Sequence, residues 1–129
     1  MVSEMPRQLW NTTRNQQAVA ELEVADDFAA RFVGLLGRKS LPDGRGLLIT
    51  RCNSIHMFFM KFPIDAVFLD ANMRVVKVAA GLKPWKLDSC SAARHTLELP
   101  AGAAARESIR PGDDLCIRDA TMVSEVKEA

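Results

Sequence analysis

Cys52-Asn53-Ser54-Ile55-His56-Met57-Phe58-Phe59-Met60-Lys61-Phe62-Pro63-Ile64-Asp65-Ala66-Val67-Phe68-Leu69-Asp70 carries the reading on which the fold turns. Four of the chain's six phenylalanines fall inside it. Side chains of a strand alternate between two faces. Extended backbone from Cys52 through an unbroken strand over 54–60 therefore puts Cys52, Ser54, His56, Phe58 and Met60 on one face, and Ile55, Met57 and Phe59 on the other. Both faces carry large apolar groups, which predicts a strand that is central or covered on both sides. Phe62-Pro63 separates it from a second strand over 64–70, because proline has no N–H for a sheet ladder and suits a strand start or a bend.

Downstream, Ala71-Asn72 turns the chain into a strand over 74–79, forming a hairpin. Residues 83–91 read as an exposed loop holding Pro84-Trp85. A strand follows over 95–99, then one or two short helical turns within 100–108. Arg110-Pro111-Gly112-Asp113 is a turn, with proline pre-set for its second position and glycine free to take positive φ. A last strand over 115–117 closes the sheet. Upstream, 47–50 is a short buried strand preceded by the turn-rich link 41–46. The spacing predicts one main helix over about 26–37. Asp26 is its N-cap, Asp27 complements its positive end, and Ala29, Phe32, Val33 and Leu36 form one apolar stripe. Gly37 ends it, with Arg38 and Lys39 at the negative end, and Gly34 inside it permits close packing. Residues 18–24 form a strand with an uneven apolar face. Residues 1–17 read as a flexible polar arm with Trp10 tucked against the body, and residues 120–129 as a frayed tail. The sum is a single β-rich domain over 18–119. Its class is α+β, mainly β: a strongly bent antiparallel sheet or partly open barrel with one main helix.

Composition supports one core. The chain has 129 residues, 48% apolar and 26% charged, ordinary for one globular domain. Seventeen basic and sixteen acidic residues leave a net charge of +1. That balance speaks against nucleic acid as a partner, although Arg31, Arg38, Lys39, Arg45 and Arg51 lie close together in sequence. No apolar run approaches the roughly 20 residues that span a bilayer, and residues 1–13 hold no secretory h-region. Cys52, Cys90 and Cys116 form an odd set without a CxxC pair, which fits reduced thiols. The expectation is a soluble, cytoplasmic protein with no membrane partner.

The central stretch resembles the signature of a conserved bacterial and archaeal family, domain of unknown function 192. The resemblance rests on Arg31-Phe32-Val33-Gly34-Leu35-Leu36-Gly37-Arg38, Gly46-Leu47-Leu48-Ile49, and the core Ile55-His56-Met57-Phe58-Phe59-Met60-Lys61-Phe62-Pro63-Ile64-Asp65. It extends to Leu97-Glu98-Leu99-Pro100-Ala101-Gly102 and Gly112-Asp113, covering nearly everything from 18 to 118. Many relatives carry a Trp-Met-Lys core and an export signal, whereas this chain has Phe-Phe-Met. The resemblance implies a bacterial type of protein with a compact, mostly antiparallel β fold and one helix. It implies no reaction and no catalytic residues.

Candidate site residues come from the same stretch. Asp65 sits among apolar neighbours, where a carboxylate needs donors, and Arg31, Arg38, Lys61, His56 or the amides of the 83–89 loop could supply them. It reads either as a structural carboxylate holding a loop amide or an arginine, or as a ligand anchor or general base. His56 titrates nearest neutrality and could meet Asp65 across the bend at Pro63 as an oriented base, against its alternative as a satisfied core histidine. Phe58, Phe59, Met60, Phe62 and Trp85 could line an apolar cleft, against the alternative, favoured for the phenylalanines, of simple core packing. Trp85, between lysines in a loop, is a candidate anchor for a partner. Cys52 and His56, and Cys90 and His95, have metal-ligand chemistry, but positions i and i+4 of a strand lie roughly 13 Å apart. No metal and no cofactor is therefore implied, and the cysteines read as small buried hydrophobes. Glu98 and Asp113 read as turn or ladder residues. No nucleophile elbow, phosphate loop or dinucleotide fingerprint is present. Two functions follow. One is a small binding module for a small molecule or protein segment, using His56, Phe58, Met60, Asp65 and Trp85, as a monomer or weak homodimer. The other is a small hydrolase- or lyase-like enzyme with His56 and Asp65 as an acid/base pair.

Overall fold

The computed structural model of the chain describes residues 7–27, 30 and 34–119. Among them are nine strands and one short helix: β1 (Arg7–Asn11), β2 (Gln16–Ala25), β3 (Arg45–Ile49), β4 (Ser54–His56), β5 (Ile64–Leu69), β6 (Val75–Leu82), β7 (Leu87–Ser89), β8 (His95–Pro100), α1 (Ala103–Arg106) and β9 (Leu115–Asp119). Seven strands form one sheet in the order β6-β5-β8-β3-β2-β1-β9, and β4 and β7 form a separate two-stranded ribbon. The class is mainly β, as expected. The sheet is mixed rather than antiparallel, because β2 and β3 run parallel. Its edge strands touch at one corner only, where Arg74 bridges Asp114 and Val75 N–H donates to the Asp113 carbonyl at 2.8 Å. The sheet thus bends round without closing into a barrel.

β5 shows why this sheet has a covered outside as well as a core. All six of its residues are buried. Val67 and Leu69 join Leu9, Val19, Leu48, Leu97 and Leu99 in the inner cluster, while Ala66 and Phe68 turn to the other side with Ala93. β3 alternates likewise: Leu48 points inward, and Leu47 and Ile49 pack outward against Leu35, Leu41, Met57 and Met60. The segments 34–41 and 52–62 therefore form a lid over the outer face of β3 and β5. Pro63 precedes β5 as expected. In the β5–β6 turn Asp70 Oδ1 accepts from Asn72 and Arg74 N–H at 2.8 and 3.0 Å.

Three expectations need correction. Residues 7–17 are not a loose arm: β1 lies between β2 and β9, and Leu9 and Asn11 are fully buried. Asn11 is polar because its Nδ2 donates to Asp113 Oδ2 at 2.9 Å, so its polarity serves the interior. The helix over 26–37 does not run to Gly37. Ala30 is helical, but 34–37 are turns, with Gly34 and Gly37 in the left-handed region at φ 51° and 84°. Asp27 rather than Asp26 caps it, accepting from Ala30 N–H at 2.7 Å, while Asp26 accepts from the Thr50 hydroxyl at 2.6 Å. The break at Gly34 shifts the phase, so Leu35 is buried and Leu36 only half-buried. Ala29, Arg31, Phe32 and Val33 lie outside the described residues, as does the tail 120–129. The basic run that includes Arg38, Arg45 and Arg51 is answered by acids around β2, with ion pairs Arg38–Glu23, Arg45–Glu21 and Arg51–Asp26.

Candidate functional site

The strand expected over 54–60 ends at His56, and the site grows from that ending. Met60 N–H donates to the Met57 carbonyl at 3.2 Å, a turn that places Phe59 in the left-handed region at φ 66°. Period-two alternation is lost there. Met57 and Met60 both point into the lid's underside, and Phe58 and Phe59 point out. A second turn faces it. Trp85 N–H donates to the Met57 carbonyl at 2.8 Å, and Met57 N–H to the Lys86 carbonyl at 2.7 Å. Trp85 is also left-handed, at φ 71°. A bulky residue at positive φ is sparsely populated, so two side by side mark a site held in shape by its surroundings.

These turns assemble an aromatic rim. The His56 ring lies 5.0 Å from Phe58, Phe58 lies 5.9 Å from Trp85, and Phe59 lies edge-on to Trp85 at 4.9 Å. Phe59 is 71% exposed, Trp85 59% and the neighbouring Leu87 66%. The phenylalanines at 58 and 59 are thus surface groups, not core packing. Met60 is buried beneath them and is a cavity wall rather than part of the rim.

Behind the rim, between the lid and the outer face of the sheet, lies a cavity of about 190 Å3. Leu35, Ile49, Cys52, Ile55, Met57 and Met60 are among its walls, and His56 and Glu98 also line it. Glu98 stands on β8 opposite Leu47 and Ala66 and is only 4% exposed. Its Oε1 has no hydrogen-bond partner among the described residues. Burial pushes its carboxyl up to about 7, with the Arg38 guanidinium pulling the other way. Such a group can accept a proton or take up an external donor near neutrality. Glu98 was missed as a candidate, yet its Leu-Glu-Leu setting carries the same signal as Asp65: an acid inside an apolar strand.

Asp65 itself belongs elsewhere. It is fully buried, and its carboxylate is spent on three backbone amides: Gly81 at 2.8 Å on Oδ1, and Gly102 at 3.1 Å and Ala104 at 2.9 Å on Oδ2. The N-cap residue of α1 is Gly102, which offers no side-chain cap, and Asp65 supplies the cap from β5. None of the anticipated side-chain donors Arg38, Lys61 or His56 bonds it. His56 and Asp65 are not paired: His56 is exposed on β4 and Asp65 is enclosed at the base of α1. Asp113 is a second structural carboxylate. Burial pushes it up, but hydrogen bonds from Asn11, Arg14 and Arg110 outweigh that and hold it below the usual range. Cys52 and Cys90 are half-buried and Cys116 is exposed, so they are not the buried hydrophobes expected; all three are free. Among the described residues no cluster of three or more His, Cys, Asp or Glu could hold a metal, and no helix is long and apolar enough to cross a membrane.

Comparison with known proteins gives this geometry a family. A "UPF0127 protein" of Pyrococcus horikoshii is 42% identical over 110 residues, covering 78% of this chain and 89% of the relative. One from Pyrococcus furiosus is 36% identical, covering 81% and 93%. These relatives are archaeal rather than bacterial. A crystal structure from Novosphingobium aromaticivorans, described as a protein of unknown function, superposes with a TM-score of 0.74 at 27% identity, over 86% of this chain and 83% of that one. A chain from Sinorhizobium meliloti shares the fold with a TM-score of 0.75 at 22% identity, over 90% and 97%. The family model DUF192, described as "Uncharacterized ACR", matches residues 9–117, and the chain belongs to that family of uncharacterised conserved proteins.

Proposed function

We propose that the chain is a non-catalytic binding module whose ligand, a small molecule or protein segment, engages the rim of His56, Phe58, Phe59 and Trp85. One observation carries the reading. Two large aromatic side chains are held out to solvent on turns with left-handed backbone, in ring contact with each other. Exposed apolar area contributes nothing to folding, and left-handed backbone at bulky residues opposes it, so both features fit recognition. Lys83 and Lys86 flank Trp85 and are exposed, giving the rim a basic margin. The enzyme alternative loses its support in the separation of His56 from Asp65, whose oxygens are already committed. The reading carries with it a reducing, cytoplasmic setting, supported by three cysteines without a disulfide.

The test is a fragment screen read by NMR on the full chain. Hits should move the Trp85 indole N–H and the Phe58 and Phe59 ring signals together. Phe59→Ala with Trp85→Ala should abolish those hits while lowering stability by less than about 1 kcal/mol, as for exposed positions. Hits confined to other surfaces, or a loss of stability typical of core truncation, would remove the reading.

A further inference from the structure

β8 crosses the middle of the sheet with an acid between two leucines. Leu97 and Leu99 are both inner-core residues, at 0% and 1% exposure. Strand alternation therefore turns Glu98 to the outer face, under the lid. There Glu98 lines the cavity of about 190 Å3, and its Oε1 is buried and, among the described residues, unpartnered. Asp65 provides the contrast within the same sheet: an equally buried acid with three donors. A fold that needed only a strand residue at 98 would gain from an apolar side chain, so an acid aimed into a cavity points to something that enters it.

We infer that the cavity is a subsite for a compact organic cation, an amidinium or alkylammonium head on a short apolar body, whose N–H groups are received by Glu98. This rests on the binding-module reading and gives one part of the ligand a chemistry. A water molecule's share of liquid volume is about 30 Å3, so the cavity has the bulk of roughly one substituted ring. The walls from Leu35, Ile49, Ile55, Met57 and Met60 suit a hydrocarbon body and keep water from the ion pair. A planar amidinium presents two N–H groups in the spacing of a carboxylate. A bound cation also favours the ionised acid that burial alone disfavours. Among the described residues, the charged and titratable groups around Glu98 are Arg38, just after the 34–37 turns, and Cys52 and His56 from the lid. Arg38 is engaged by Glu23 at 2.9 Å, and the Cys52 thiol donates to the Ser54 carbonyl at 3.0 Å. None of the three hydrogen-bonds the Glu98 Oε1.

Benzamidine and benzoate share a ring and differ in charge, so they are the probes, titrated into the full chain at neutral pH. Methyl signals of Ile49, Met57 and Met60 and the thermal midpoint are the readouts. Benzamidine should shift the methyls saturably and raise the midpoint, and benzoate should do neither. Glu98→Gln should weaken benzamidine at least tenfold while its own midpoint stays at or above that of the parent. An equal response to benzoate, or a response that survives Glu98→Gln, overturns the inference. So does a Glu98→Gln midpoint well below the parent, because the carboxylate would then already serve a donor within the chain. If benzamidine is silent while other fragments move Phe58, Phe59 and Trp85, the subsite falls and the binding-module reading stands. Silence at both places overturns both.

Discussion

Replacing Asp65 by asparagine keeps the size of the side chain and removes its charge. The carboxylate now serves three amides with two oxygens, Gly81 on one and Gly102 and Ala104 on the other. Asparagine has one oxygen. Placed toward Gly102 and Ala104, it keeps two bonds but turns its NH2 against the Gly81 N–H. The two retained bonds drop from charge-assisted to neutral, a loss of about 1 kcal/mol each, and the Gly81 amide is left without an acceptor at about 1–3 kcal/mol. Rotated the other way, it strands two amides instead of one. The expected loss is about 3–5 kcal/mol, the range found when one partner of a buried charged arrangement is removed. For a chain of this size that lowers the thermal midpoint by roughly 10–20 °C. Urea titration and calorimetry on Asp65→Asn give the value directly. The rim spectra of Phe59 and Trp85 should be unchanged in the folded variant. A loss below about 1 kcal/mol would refute the structural role and return Asp65 to the list of ligand-binding groups.

Glu98 makes stability depend on pH in a defined window. Its folded carboxyl sits at about 7 against 4.5 ordinarily, so the folded state holds its proton longer than the unfolded chain. The Glu98 contribution therefore falls as pH rises from 4.5 to 7, by about 3 kcal/mol, and is flat above; Glu98→Gln should remove that part of the slope, and an unchanged slope would show that another group sets it. His95 accepts the Arg51 N–H on Nδ1 at 3.0 Å, and burial followed by the Arg94 charge lowers its pKa. The unfolded chain then protonates first, so this contribution is lost as pH falls below 6.5; NMR titration of His95 at or above 6.5 would contradict it. Gly46→Ala should cost about 1–3 kcal/mol by overpacking, since a Cβ there would lie 3.0 Å from Leu99 Cδ2. A neutral result would mean the inner core yields at that point.

Legibility along the chain followed the range of the deciding interaction. The hairpin of strands 64–70 and 74–79, the Arg110–Asp113 turn and a short helix within 100–108 were readable because proline, glycine and aspartate act on their immediate neighbours. Asp113 N–H indeed donates to the Arg110 carbonyl at 3.0 Å. β1 was not readable. Its polar residues suggested solvent, and the partner that makes Asn11 an interior residue lies 102 positions away. The main helix failed differently. Its apolar stripe has the right period, but Gly34 takes a left-handed conformation that ends the period before the stripe is complete.

The site shows the same division inside a single residue type. Asp65 and Glu98 are both acids within apolar strands, and sequence can say only that each will be costly unless something meets it. What meets Asp65 arrives from 16, 37 and 39 residues downstream, as amides of a glycine in β6 and of the start of α1. Nothing described meets Glu98 Oε1. Sequence does not tell the two apart because the donors to Asp65 are backbone groups, which no residue identity announces. The rim was misplaced for a related reason. Alternation assumes an extended backbone, and the turn at 57–60 exposes two adjacent phenylalanines that no strand could put on the same side. An acid left over after the backbone has supplied every donor it can, lying behind aromatics that the backbone has turned outward, is therefore the arrangement to search for in related chains.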